Sequence, residues 1–98
     1  MALVTGANRS IGKSISLALA GQGASVAVHF YSNSNDANAV VDEIVSGGGR
    51  AAAFQSDVSN RDEVERMVAE CSGALGPVNI LVNNARQLVK GRTFLELN

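Results

Sequence analysis

The chain is short of several residue types, and each shortage removes a class of explanation. One cysteine, Cys71, excludes an internal disulfide and suits a reducing compartment. One histidine, His29, has no companions at metal-ligand spacing, so packing in a core or on a sheet face is expected of it and no metal site. Tryptophan is absent and aromatics make up 4% of the 98 residues. Fourteen alanines and 12 valines must therefore supply much of the core, side chains that let layers approach closely but each bury little area. No apolar run approaches the roughly 18 residues of a membrane span. Met1 leads straight into Ala2-Leu3-Val4-Thr5 with no basic stretch, so a cytoplasmic chain without a membrane partner is expected. A net charge of −1 offers no bulk positive field for nucleic acid.

Acids are also missing from one region. Residues 1–35 carry Arg9 and Lys13 and no carboxylate, whereas residues 36–70 carry eight acids against three bases. An acid-free first third suits a site for an anion. The remaining composition, 46% hydrophobic and 17% charged, is that of a folded chain the size of one small domain.

Apolar residues alternate between strand-like and helix-like spacing from end to end. Ala2-Leu3-Val4 reads as a buried strand running into the Thr5-Gly6 turn. Ser10 to Ala20 is helical, with Ile11, Ile15 and Leu19 four apart, and Gly21 and Gly23 stop it. Ser25 to Phe30 is a second strand. Ser34 or Asn35 caps a second helix with the stripe Ala37, Val40, Val41, Ile44 and Val45, which Gly47-Gly48-Gly49 ends. Ala51 to Gln55 is a third strand. Ser59, with Asp62 three residues on, opens a third helix whose stripe is Val64, Met67, Val68, Cys71 and Leu75. Gly76-Pro77 closes it, and Val78 to Val82 is the fourth strand. Strands alternating with helices of this length pair in parallel through right-handed crossovers. The expected fold is α/β, a doubly wound parallel sheet with helices on both faces. Thr93-Phe94-Leu95-Glu96 then signals a further helix start just before Asn98, which reads as a truncated chain.

The turn Thr5-Gly6-Ala7-Asn8-Arg9-Ser10-Ile11-Gly12 lies between the first strand and the first helix, where unpaired N–H groups and a partial positive charge attract phosphate. Two phosphate motifs compete for it. The nucleoside-triphosphatase pattern needs four residues between its first glycine and Gly-Lys-Ser/Thr, but Gly6 and Gly12-Lys13-Ser14 enclose five. The fourth strand ends in Asn83 where that reading wants a magnesium-holding aspartate. It is the weaker of the two.

The other match is close. Thr5-Gly6-x-x-x-Ser10-Ile11-Gly12 resembles the T-G-x-x-x-G-x-G turn of the short-chain dehydrogenase/reductase family. The resemblance continues at Asp57-Val58 after the third strand and at Asn83-Asn84-Ala85 after the fourth, where the family has N-N-A-G. In general style the first 85 residues are similar to 3-oxoacyl-carrier-protein reductases and their relatives. The resemblance implies a Rossmann-type sheet in strand order 3-2-1-4, truncated after the fourth strand. Residues 1–98 would then be the dinucleotide-binding half of one such domain, with the catalytic half absent. It further implies hydride exchange between a nicotinamide dinucleotide and a small carbonyl or alcohol substrate, in a homo-oligomer when complete.

The cofactor contacts so implied are Gly6, Asn8, Arg9, Ser10, Ile11 and Gly12 in the turn, with Tyr31 and Ser32 after the second strand. Asp57, Val58, Asn83 and Ala85 complete the set. Asp57 would meet the adenine amino group with Val58 flanking the ring, and the Asn83 backbone would lie beside the adenosine ribose. NAD binders of this fold place an acid at the end of the second strand to accept from the ribose 2′-OH. That position here is Phe30, and no carboxylate occurs before Asp36. Arg9 with Tyr31 and Ser32 suits a 2′-phosphate instead, so NADP is expected over NAD.

Three departures accompany the match. Ser10 stands for the middle glycine, and Arg86 stands for the glycine of N-N-A-G. The family's proton-donating Tyr-x-x-x-Lys is missing: the one tyrosine, Tyr31, is followed four residues later by Asn35. No residue of the chain is expected to be catalytic. A nucleotide-binding module without chemistry of its own is accordingly the alternative to part of an enzyme. Cys71, on an apolar stripe, is expected to be a buried inert thiol, and Asp62, Glu63, Glu65 and Glu70 a solvated helix face.

Overall fold

A computed structural model describes residues 1–7 and 10–83. Its elements are β1 (Ala2–Thr5), α1 (Ser10–Gly21), β2 (Val26–Phe30), α2 (Ser34–Ser46), β3 (Ala51–Gln55), α3 (Arg61–Leu75) and β4 (Ile80–Asn83). The strands form one parallel sheet in the order β3-β2-β1-β4. The parallel α/β sheet is the one expected from the alternating pattern, and its order is the Rossmann-type order that the family resemblance implies. The chain winds outward from β1 through β2 to β3 and then returns to the other side of β1. Winding therefore reverses between β1 and β4, the place where open sheets of this kind leave a crevice beyond their carboxyl ends.

Each face of the sheet has its own core. Val4, Val26 and Val28 point to one face and are buried with Ala7 and with Ala37, Val40 and Ile44 of α2, while α1 adds Ile15 and Leu19. Leu3 and Ala27 point to the other face and are buried against Met67 and Cys71 of α3. Alternation along β1 and β2 thus sends neighbouring residues to opposite cores, as a strand covered on both faces requires. Short alanine and valine side chains let the helices sit close.

Element ends differ from the sequence expectation by one to two residues, each for a local reason. The cap of α2 is Asn33, whose side-chain oxygen accepts from the Asp36 N–H, one residue before Ser34. The cap of α3 is Asn60, which accepts from the Glu63 N–H at 3.2 Å, because Ser59 is already held in a turn with Asp57. Asparagine fills both positions because its short amide reaches the third N–H of the helix. Strand β4 begins two residues later than expected, since the N–H groups of Asn79 and Ile80 both go to the Met1 carbonyl before the ladder with β1 starts.

Two stripe residues are exposed. Ile11 is 67% exposed because the first turn of α1 rises past the end of the sheet. Val45 is 52% exposed, eight residues from Ala37 and so about 80° around the helix from it.

Candidate functional site

The carboxyl ends of β1, β2 and β3 converge on one buried side chain. Gly6, at φ +62°, turns the chain out of β1 in a conformation that costs glycine little. Its N–H donates to Nδ1 of His29 at 2.9 Å, and the Ala7 N–H donates to the His29 carbonyl at 3.0 Å. On the opposite side of the ring, Nε2 lies 2.8 Å from the carbonyl of Ser56, just past β3. A peptide N–H can only donate and a carbonyl can only accept, so Nδ1 is the bare nitrogen and Nε2 carries the proton. His29 is 2% exposed, and burial pulls its pKa below the ordinary value, partly opposed by the Ser56 carbonyl. The neutral ring thereby joins the glycine turn to the third strand. The expectation of a packed histidine holds, but sequence reasoning missed the joint.

Asp57 follows Ser56 and is fixed from both ends. Its Oδ1 accepts from the Ser59 hydroxyl at 2.6 Å and from the Ser59 N–H at 2.9 Å, and these bonds hold its carboxyl below its usual pKa. Its own N–H donates to Glu63 Oε1 at 3.0 Å. Glu63 is thus not simply part of a solvated face: it is half-buried and fixes the Asp57 backbone. Oδ2 of Asp57 has no hydrogen-bond partner among the described residues and remains able to accept from a ligand. Val58 is 3% exposed, so it backs the loop from below. The Ser56 hydroxyl is buried without a hydrogen-bond partner among the described residues.

At the end of β2, Phe30 is half-buried and Tyr31 and Ser32 are exposed. The Tyr31 carbonyl accepts from Gln55 Nε2 at 3.0 Å, and the Gln55 carbonyl accepts from Arg66 Nη2 at 3.0 Å. The nearest following acid, Asp36, is occupied at the start of α2, where Oδ2 accepts from Asn33 Nδ2 at 3.0 Å. Among the described residues, therefore, no free carboxylate terminates β2.

Beside the turn, Ser10 opens α1, Gly12 is buried and Ile11 projects outward. The Ser16 hydroxyl donates to the Gly12 carbonyl at 2.8 Å, which closes the first turns of the helix. The Lys13 Nζ is 3.8 Å from Glu43 on α2. At the crevice between β1 and β4, Asn83 pairs in register with Thr5, whose hydroxyl lies 3.2 Å from Asn83 Oδ1 and 3.3 Å from the Val82 carbonyl. Asn8, Arg9, Asn84, Ala85 and Arg86 lie outside the described residues. Away from this end, Cys71 is fully buried, and burial with the neighbouring Glu70 charge pushes its thiol up to about 11. Both disfavour the thiolate, the reactive form.

Comparison with known proteins assigns this architecture. A family model described as short chain dehydrogenase matches residues 1–98. The chain belongs to the short chain dehydrogenase family. It is 46% identical over 85 residues to a 3-oxoacyl-(acyl-carrier-protein) reductase of Synechocystis sp., covering 87% of this chain and 34% of that one. It is 48% identical over 84 residues to the corresponding reductase FabG of Staphylococcus epidermidis, covering 86% and 34%. Among solved structures, a dehydrogenase/reductase from Sinorhizobium meliloti superposes with a TM-score of 0.83 at 43% identity, over 86% of this chain and 33% of that one. A blue fluorescent protein from a metagenomic library, solved in complex with NADPH, gives 0.83 at 41% identity over 90% and 36%. The chain thus spans about a third of the length of these relatives.

Proposed function

We propose that residues 1–98 form the dinucleotide-binding part of an oxidoreductase that exchanges hydride between NADP(H) and a carbonyl or alcohol. The observation that carries this reading is the meeting of the Gly6 turn, the carboxylate-free end of β2 and the Asp57 loop at one end of the sheet. The residues fit the group. The turn and the first residues of α1, from Gly6 through Asn8 and Ser10 to Gly12, would take the pyrophosphate, with Ile11 exposed above it. Arg9, Tyr31 and Ser32 would take the 2′-phosphate. Asp57 would accept from the adenine amino group through Oδ2, with Val58 flanking the ring; the Asn83 backbone would lie beside the adenosine ribose, and Ala85 where the strand passes under the cofactor. A bound dinucleotide supplies the hydride chemistry; these side chains bind and orient it. The similar proteins described above are 3-oxoacyl-(acyl-carrier-protein) reductases, so a ketone is the substrate class favoured here.

Calorimetric titration with NADP and with NAD tests the reading. A charge-assisted bond to phosphate contributes about 1.5–3 kcal/mol, so Arg9→Ala should weaken NADP roughly 10–100-fold and leave NAD almost unchanged. Equal losses for the two cofactors would place Arg9 on the shared pyrophosphate and remove the argument for NADP.

A further inference from the structure

We propose that His29 is a positioning residue for the dinucleotide, holding the Gly6 amide in place so that the glycine turn presents its outer face to the pyrophosphate. The proposal rests on the dinucleotide reading above and adds to it a residue outside the glycine turn. Its basis is geometric. The ring is buried, and both of its nitrogens are spent on backbone groups from different segments, Gly6 at 2.9 Å and Ser56 at 2.8 Å. The Ser56 carbonyl accepts the Nε2 proton and so leaves Nδ1 bare. The tautomer that can accept from Gly6 is thus enforced from β3, as one ring nitrogen's bond sets the role of the other. The Ala7 N–H to the His29 carbonyl adds a second tie from the same residue to the same turn. A β-branched or alkyl residue suits a strand position but would withdraw the acceptor from a glycine whose backbone has intrinsic freedom at φ +62°.

Two amide substitutions separate the halves of the joint. In His29→Asn the side-chain oxygen takes the place of Nδ1 and can still accept from Gly6. In His29→Gln the terminal N–H2 takes the place of Nε2, keeping the Ser56 bond and withdrawing the Gly6 acceptor. The chain and both variants would be titrated with NADP and with adenosine 2′-monophosphate, which occupies the adenine end and meets the turn only through Arg9, away from the pyrophosphate that Gly6 would face. A hydrogen bond's net contribution sets the scale at up to about tenfold. The expected result is NADP binding roughly three- to tenfold weaker in His29→Gln and within about twofold of the parent in His29→Asn. Adenosine 2′-monophosphate binding should be unchanged in both. The Gly6 amide resonance should keep its hydrogen-bonded proton shift in His29→Asn and lose it in His29→Gln. Equal loss of both ligands in both variants, in step with a lowered Tm, would make His29 a purely structural residue and overturn the proposal alone. A parent chain that binds neither ligand would overturn the dinucleotide reading and the proposal with it.

Discussion

The two faces of the sheet are finished to different degrees. On the face covered by α1 and α2, two helices close over Val4, Val26 and Val28, and the core there is continuous from Ala7 to Ile44. On the other, α3 alone among the described helices covers Leu3 and Ala27, through Met67 and Cys71. Beside it runs a groove of about 470 Å³ lined by Leu3, Val64, Val68, Val78 and Leu81. Strand β4 shares the imbalance: its residues are exposed to half-buried, whereas those of β1 are all buried. The difference teaches where rigidity is concentrated. The glycine turn, the end of β2 and the Asp57 loop are all anchored to the β1–β2–β3 part of the sheet. The groove lies toward β4, and α3, which borders it, reaches those loops only at its first turns, through Glu63 and Arg66.

The largest expected effect contrasts the faces directly. Ile44→Ala, in the two-helix core, should cost about 3–4 kcal/mol, since the surrounding layers cannot collapse into the space. Leu81→Ala, which borders the groove, should cost about 1–2 kcal/mol, because its surroundings are already partly open. Chemical denaturation of the two variants measures both, and equal costs would erase the distinction.

A smaller effect should come from pH. Burial lowers the pKa of His29 below its ordinary value of 6.5, so the unfolded chain binds more protons than the folded one in that range. Stability from the neutral ring is complete above about pH 6.5 and is lost as pH falls toward the lower folded value, by at most about 1.4 kcal/mol per pH unit. Tm between pH 7.5 and 5.5 should therefore fall, and His29→Asn should flatten the profile. Asp57 acts in a separate window: its depressed pKa contributes stability above about pH 3.8 that is lost only at more acid pH. Smallest is the cap. Asn60→Ala should lower stability by about 1 kcal/mol, visible as a shifted denaturation midpoint with an unchanged slope.

Much of the architecture was legible because it depends on patterns local to each element. Alternating periods announce three strand–helix units and a last strand, and the stripe of α3 includes Met67 and Cys71, both buried in the core. The parallel order followed from crossover rules and the family resemblance. What could not be read was convergence. Nothing in the sequence ties His29 to Gly6 and Ser56, 23 and 27 positions away, because the joint exists only once three strands lie side by side. Glu63 was similarly hidden, since its spacing suits a solvent face equally well and its true partner is the backbone N–H of Asp57. Ile11 satisfied the helical period yet lies beyond the end of the sheet, where periodicity says nothing about cover. A signal was available for the caps: Asn33 and Asn60 each precede an acid by three positions, Asp36 and Glu63.

The central claim is that the anchored end of the sheet binds the dinucleotide. Titration of the isotope-labelled chain with NADP, followed through backbone amide resonances, tests it most directly. Saturable shifts should gather at Gly6, Ile11, Gly12, Tyr31, Ser32 and Asp57, while Val64, Val68 and Leu81 stay unchanged. Shifts confined to the groove residues, or saturation of the glycine turn by ATP but not by NADP, would contradict the account.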